Sequence, residues 1–300
     1  MATPQKLTVP GLYNARASTY DGKTTFHRHL ASEYVKYANP QPGESLLDLA
    51  CGTGLVTFEF AHILHPSLPS TSAKHPTIIG IDISSGMLDV AREKLSKQEN
   101  TGLEISFVEH DITNLDEVDV LNGKKSSFDI ITICSALVLL PSPSAALKHW
   151  VTYLKPGGRL IVDVPALKSM LALKVFGDLA SEFGLEALGD RRWIHGTESL
   201  KTVLEGAGLT NVEVTETGIW DDIPARTDVE GRMGKGVWAV DEGGIVFDEV
   251  EKGKSFTRLA DEELRRARNR FIQEWEKMAG EDGLVIEEGR LYIGVGRKPM

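Results

Sequence analysis

Three acids and two glycines in this chain fall where a nucleoside could be held. Gly52 and Gly54 follow a short apolar run, "SLLDLA" (45–50), and stand one residue apart in "ACGTG". A backbone bare of side chains lets a ligand approach closely, and the first N–H groups of a following helix lack intrahelical partners. Asp82 ends a second apolar run, "TIIGID" (77–82), where a carboxylate can accept two hydrogen bonds from a ribose diol. Asp111, in "VEHDI", can accept from an adenine amino group, with Ile83 and Ile112 as apolar cover for the ring. Asp48 precedes the glycines and can support their loop. Three carboxylates around one cleft suit a cationic ligand better than a polyphosphate. The phosphate-binding patterns are incomplete: GxGxxG needs glycine where Thr57 stands, and GK[ST] is absent.

Alternating strand and helix patterns must position these residues. "SLLDLA" (45–50), "TIIGID" (77–82), "LEISFVEHD" (103–111), "FDIITICSALVLL" (128–140) and "RLIVDV" (159–164) read as strands. Segments 54–64, 84–97 and 143–154 read as the helices between them, and Ser84 caps the second. Such repeats imply a doubly wound α/β sheet, parallel, with helices on both faces and ligands at the carboxyl ends of the strands. An amphipathic helix over 24–38 precedes the sheet, and 166–207 holds two helical patterns. A strand follows at 211–218, a helix at 261–279 and a closing strand at 289–298. The stretch 219–260 reads as irregular, and the whole segment between the last two strands as a lid or substrate-side addition.

Composition narrows the partners. The chain has 300 residues, 41% apolar and 25% charged, as in an ordinary globular protein. A net charge of −10 disfavours DNA and RNA, whose phosphates need clustered cations. Cys51 and Cys134 form no CxxC or Cys/His metal spacing. No run of about 18 apolar residues could span a bilayer, and the first residues lack a signal-peptide core, so a cytoplasmic protein is expected.

Five motifs in order then carry a resemblance. "LLDLACGTG", "IIGIDISSGML", "VEHDI", "FDIITICSALVLL" and "LKPGGRLIVDV" resemble those of class I S-adenosylmethionine-dependent methyltransferases. The nearest branch is the small-molecule, ubiquinone/menaquinone-biosynthesis type used in fungal secondary metabolism. The resemblance covers 13–217 and the final strand, and 219–288 resembles the variable substrate region of that branch. It implies a Rossmann-like sheet of seven strands, the last antiparallel, with N-terminal helices and a helical lid. The expected divisions are an N-terminal cover (1–40), the cofactor-binding domain (41–217), the lid (218–288) and a last strand (289–300). Asp48, Ala50, Gly52 and Gly54 would line the methionine part of S-adenosylmethionine, and Asp82 would bind both ribose hydroxyls, with Ile83 beside it. Met87 would pack near the adenosine, Asp111 and Ile112 would hold adenine, and Cys134 would offer its backbone near the methionine amine. Tyr20 would close over the cofactor. Cys51 replaces a glycine common in relatives. The products would be S-adenosylhomocysteine and a methylated small molecule, partly apolar and of the secondary-metabolite kind, and no metal is implied.

No catalytic residue is dictated, because a sulfonium methyl is already electrophilic and a base is needed only for an acceptor still protonated at neutral pH. His27 and His29, on the helix expected to cover the cleft, are the candidate bases, ahead of His149 and His195. Trp193, Trp220 and Trp238 are candidate pocket linings, with core packing the alternative for each. The tetrapeptide [DNS]PP[YFW] of nucleic-acid amino-methyltransferases is replaced by "CSAL"; a protein acceptor stays open. Competing readings are a protein that binds the cofactor without methyl transfer, as a regulator or as a lyase or pericyclase, and a nicotinamide oxidoreductase, weakened by Thr57.

Overall fold

Parallel strands covered by helices on both faces must be apolar throughout, and the central runs obey that rule. In the computed structural model, which describes residues 8–23, 26–64, 76–98, 103–185, 189–218, 236–251 and 259–300, every residue of β1 (Leu46–Leu49) is buried. The helices α1 (Val9–Asn14), α2 (Tyr20–Lys23) and α3 (Phe26–Ala38) precede it. Then follow α4 (Leu55–Leu64), β2 (Thr77–Asp82), α5 (Ser85–Ser96), β3 (Glu104–Glu109), β4 (Phe128–Ile133), α6 (Pro143–Val151) and β5 (Leu154–Pro165). After them come α7 (Leu171–Ala180), α8 (Thr197–Gly206), β6 (Thr210–Thr217), β7 (Gly236–Ala239), helices Gly243–Glu251 and Asp261–Glu276, β8 (Leu284–Glu287) and β9 (Leu291–Arg297).

The chain divides into two compact units. One comprises residues 9–164, 197–215 and 292–300 and carries a seven-stranded sheet in the order β3-β2-β1-β4-β5-β9-β6, mixed, with the last strand antiparallel. Parallel pairing joins β1 to β2 and β4, β2 to β3, and β4 to β5. Strand order reverses between β1 and β4, the place where open α/β sheets bind ligands. Ser84 caps α5 as expected, its hydroxyl accepting from Met87 N. Helix α3 buries Phe26, Leu30, Ala31 and Tyr34. At the opposite end of the strands from the glycine loop, the buried Arg159 guanidinium of β5 donates to the carbonyl oxygens of Ala38 and Asn39 and to both oxygens of Glu44. That bond set satisfies two free carbonyls at the end of α3 and fixes the helix over the sheet.

Two strand boundaries depart from the sequence pattern. The apolar run 128–140 pairs only over Phe128–Ile133, because Ser135 turns left-handed (φ +55°) and a 3₁₀ turn occupies Leu137–Leu139. Strand β5 starts earlier than expected, at Leu154, with "KPGG" inside it; a register shift opposite Phe128 and Ile130 absorbs the irregularity.

The second unit comprises residues 1–8, 165–196 and 216–291. Its core joins α7 to helices Gly243–Glu251 and Asp261–Glu276 through Phe176, Phe247, Phe271, Trp238 and Trp275. Phe176 stacks on Phe247 at 5.2 Å and Trp238 meets Trp275 edge-on at 6.2 Å. The stretch read as irregular therefore contains β7, which pairs antiparallel with β8, and a helix. Trp238 is a fully buried core residue. Trp220 lies outside the described residues, and Trp193 is half-buried with its indole N–H donating to Asp190 O.

Candidate functional site

At the tip of β1 three of five residues are left-handed: Ala50 (φ +52°), Gly52 (+54°) and Gly54 (+82°). The two glycines serve different needs. A Cβ on Gly54 would lie 2.8 Å from the Phe58 ring, so glycine there lets α4 pack onto the loop. A Cβ on Gly52 would meet nothing within 4 Å, so that position needs the conformation and leaves its face open. Ala50 holds a left-handed conformation without that freedom, at a cost of about 1–2 kcal/mol. The bonds that impose the turn are Cys51 N to Ile81 O (3.1 Å) and Gly54 N to Cys51 O (2.8 Å).

Asp82, at the tip of β2, braces this loop against α5. Its Oδ2 accepts from Gly52 N at 2.8 Å and its Oδ1 from Ser84 N at 2.8 Å. Burial raises its pKa, and these N–H donors oppose the rise. Each oxygen keeps a further lone pair for a diol. Asp48 is sealed beneath: Thr57 Oγ1 donates to one oxygen (2.6 Å) and Thr132 Oγ1 to the other (2.8 Å). Burial pushes its carboxyl up to about 6 in spite of the two hydroxyls. Thr57, legible in sequence only as a missing glycine, is therefore the donor that ties α4 to β1.

The remaining expected cofactor residues are spread along the same edge. Met87 is buried in the first turn of α5, whereas Ile83 is exposed. Asp111 is exposed, its Oδ1 accepting from Thr113 N and Oγ1 at 2.8 Å each. Ile112 is buried and its carbonyl accepts from Trp150 Nε1 at 2.7 Å. Cys134 follows β4, half-buried, and desolvation pushes its thiol well up, so it is a poor nucleophile.

The N-terminal segment lies on this loop through contacts the sequence did not reveal. Asn14 Oδ1 accepts from Ser84 Oγ (2.7 Å) and Gly86 N (2.9 Å). Asp21 accepts from Thr53 Oγ1 at 2.6 Å and pairs with Lys94 at 2.5 Å, while Lys94 also donates to Thr53 O at 2.8 Å. The segment thus grips both the glycine loop and the start of α5. Tyr20 lies on it, 3.0 Å from His27 Nε2, and its hydroxyl is raised by burial and then by Tyr13, Cys134 and Asp82. Burial pushes His27 down to about 4, leaving a neutral and weakly basic imidazole. His29 is exposed on α3, His195 is exposed before α8, and His149 Nε2 accepts from Leu115 N at 2.9 Å.

Near the end of β5, two residues before Pro165, lies a further carboxylate, Asp163, which sequence reading passed over as a strand residue. It is 2% exposed. Its Oδ1 accepts from the Tyr34 hydroxyl and from Ser135 N (2.8 Å). The Tyr34 hydroxyl is shared with Ile133 O at 2.5 Å. Among the described residues no clustered His, Cys, Asp or Glu set could hold a metal, and no helix is long and apolar enough to cross a membrane.

Comparison with known proteins decides what such a sheet-tip site belongs to. A family profile described as Methyltransferase domain matches residues 40–208. The chain belongs to this methyltransferase family. It is a class I S-adenosylmethionine-dependent methyltransferase. Relatives include a ubiquinone/menaquinone biosynthesis C-methyltransferase of Shewanella woodyi, 30% identical over 69% of this chain and 84% of that protein. A demethylmenaquinone methyltransferase of Lactococcus lactis is 31% identical over 70% and 85%. In fold, this methyltransferase is similar to an S-adenosylmethionine-dependent methyltransferase from Thermotoga maritima (TM-score 0.52, 16% identity, 97% of this chain and 100% of that one). It is also similar to phosphoethanolamine N-methyltransferase 2 of Haemonchus contortus, solved with phosphomonomethylethanolamine and S-adenosylhomocysteine (TM-score 0.54, 13% identity, 99% and 61%).

Proposed function

We propose that this methyltransferase transfers the methyl group to a small, partly apolar acceptor of the secondary-metabolite kind, and that the β1–β2–β4 tips hold the donor. The observation that carries the donor site is the Asp82 brace: one carboxylate bonded to both the open glycine loop and the start of α5, with lone pairs left for a ribose diol. The open face of Gly52 fits a ligand lying against the loop. Gly54 and Ala50 shape that loop, Met87 and Ile83 flank Asp82, and Asp111 and Ile112 stand at the adenine end. Tyr20, near both Asp82 and Cys134, covers the middle.

When bound, S-adenosylmethionine supplies an electrophilic methyl on a positively charged sulfur. The chain's task is to hold the acceptor in line with it and keep water out, which is worth on the order of 7–11 kcal/mol of the barrier. Acidic overall charge and "CSAL" after β4 favour a small molecule over nucleic acid. Two relatives are named as a ubiquinone/menaquinone biosynthesis C-methyltransferase and a demethylmenaquinone methyltransferase, which supports a small, partly apolar acceptor here. The segment 216–291 lies outside the matched residues 40–208, which supports an acceptor of this chain's own.

Calorimetry with S-adenosylmethionine, followed by turnover of the methyl-labelled donor with naphthoquinols, phenols, thiols and cell extract, tests the reading. Labelled small-molecule product with S-adenosylhomocysteine supports it. Tight donor binding with no labelled small molecule from any source would overturn the small-molecule acceptor.

A further inference from the structure

The strand register extends the donor row across the sheet to a carboxylate that the donor does not need. Leu49 of β1 stands opposite Ile81 of β2 and Ile133 of β4, and Ile133 stands opposite Val162 of β5. One step further along each strand the row reads Asp82, Ala50, Cys134, Asp163. At one strand spacing each, Asp82 and Asp163 are roughly 14 Å apart, on either side of the reversal point between β1 and β4. The ribose end and the far end of the row thus each carry one acid.

Asp163 differs from its neighbours in what its oxygens do. Both oxygens of Asp48 are held by threonine hydroxyls, and both of Asp82 by backbone N–H groups. In Asp163, Oδ1 accepts both donors, Tyr34 and Ser135 N, and Oδ2 is buried with no partner among the described residues. An unmet buried acceptor is costly, and a ligand bringing an O–H, N–H or S–H would satisfy it. The strain lies at the same place: Ser135 (φ +55°), whose N–H holds Oδ1, is one of six non-glycine residues with positive φ among the described residues.

We propose that Asp163 is the general base of methyl transfer, its Oδ2 receiving the acceptor's proton; this rests on the small-molecule acceptor proposed above. The acceptor's electron pair forms the bond to the methyl, the pair of the broken methyl–sulfur bond stays on sulfur, and the proton released by the acceptor passes to Oδ2 and then to water. Burial pushes the Asp163 carboxyl up to about 6, close to the operating pH, while Tyr34 and Ser135 N restrain the rise. The groups facing it are the Tyr34 hydroxyl from α3, Ser135 N and the Cys134 thiol after β4, and Asp48 of β1 faces the same thiol. His27 is less suited, because Nε2 is engaged by Tyr20 and its basicity is low. Tyr34 is a positioning residue that sets the orientation and basicity of Asp163.

The test uses the full chain, methyl-labelled S-adenosylmethionine and the acceptor that turns over fastest among naphthoquinols, phenols and thiols. In wild type, kcat should fall on the acid side with an apparent pKa near 6. Asp163→Asn, which keeps the Oδ1 acceptor, should lower kcat about 10²–10⁴-fold. It should lose the acid limb and leave the calorimetric Kd for S-adenosylmethionine unchanged. Tyr34→Phe removes the hydroxyl that lowers the Asp163 pKa, so its acid limb should move to higher pH. Retained kcat in Asp163→Asn, an unmoved limb in Tyr34→Phe, or loss of donor affinity in step with kcat would each overturn the assignment; the last would make Asp163 a ligand of the donor's ammonium. Donor binding without turnover of any small-molecule acceptor would sink the proposed small-molecule function, and this proposal with it.

Discussion

Replacing Asp82 by alanine should separate two jobs of one side chain. The carboxylate accepts Gly52 N and Ser84 N, each at 2.8 Å, and its remaining lone pairs face the proposed ribose. Losing hydrogen bonds to an ionised acceptor costs about 1.5–3 kcal/mol of donor binding. At 1.4 kcal/mol per decade that is roughly a 10- to 150-fold rise in Kd. The two orphaned N–H groups would each cost about 1–3 kcal/mol if they stayed dry. Water entering an unliganded cleft and relief from burying an acid with a raised pKa offset part of that sum. The net stability loss should therefore be about 1–3 kcal/mol, enough to see in a thermal melt but not to unfold the chain. Calorimetry with S-adenosylmethionine and S-adenosylhomocysteine reads the first quantity. Because both carry the same ribose, their Kd values should rise together and their ratio should hold. A folded Asp82→Ala protein with Kd within two-fold of wild type, or with only one of the two ligands weakened, would refute the ribose assignment.

Further outcomes follow from the same contacts. Thr57→Val keeps shape but removes the donor to buried Asp48, so stability should fall by about 1–3 kcal/mol in denaturant titration. Gly54→Ala combines left-handed strain with a Cβ 2.8 Å from the Phe58 ring, and should cost about 2–4 kcal/mol by the same assay. Asp48 and Asp163, each pushed up to about 6, keep their protons longer in the folded than in the unfolded chain. Their contribution is therefore full below the ordinary carboxylate pKa and is lost as pH rises toward 6, by roughly 3 kcal/mol each. Asp163→Asn should accordingly gain stability relative to wild type between pH 4 and 7 in paired melts. His27, pushed down to about 4, has the opposite sign: its contribution is lost as pH falls from 6.5 toward 4, so His27→Gln should resist acid better than wild type.

The sheet was legible because strands buried on both faces leave unbroken apolar runs, and a serine cap marks its helix locally. What escaped was set by contacts distant in sequence. The run 128–140 stays apolar past Ile133, yet pairing stops where the Ser135 N–H turns to Asp163, 28 residues on. Asn14 and Asp21 look like ordinary loop polar residues until folding sets them on Ser84 and Thr53. Thr57 counted against a dinucleotide loop, and its positive role needed Asp48 in view. Asp48, Asp82 and Asp163 are one letter near the ends of three apolar strands. Their positions set Asp82 apart as a ribose acceptor and Asp48 as a loop support, and drew no notice to Asp163. The donors around each carboxylate separate all three. Two hydroxyls per pair of oxygens make Asp48 a sealed strut, and two backbone N–H groups on separate elements make Asp82 a brace open to a ligand. Two donors crowded onto one oxygen leave Asp163 with the other in reserve. The chemistry of each acid is thus decided by the count and placement of its partners, which only the assembled sheet supplies.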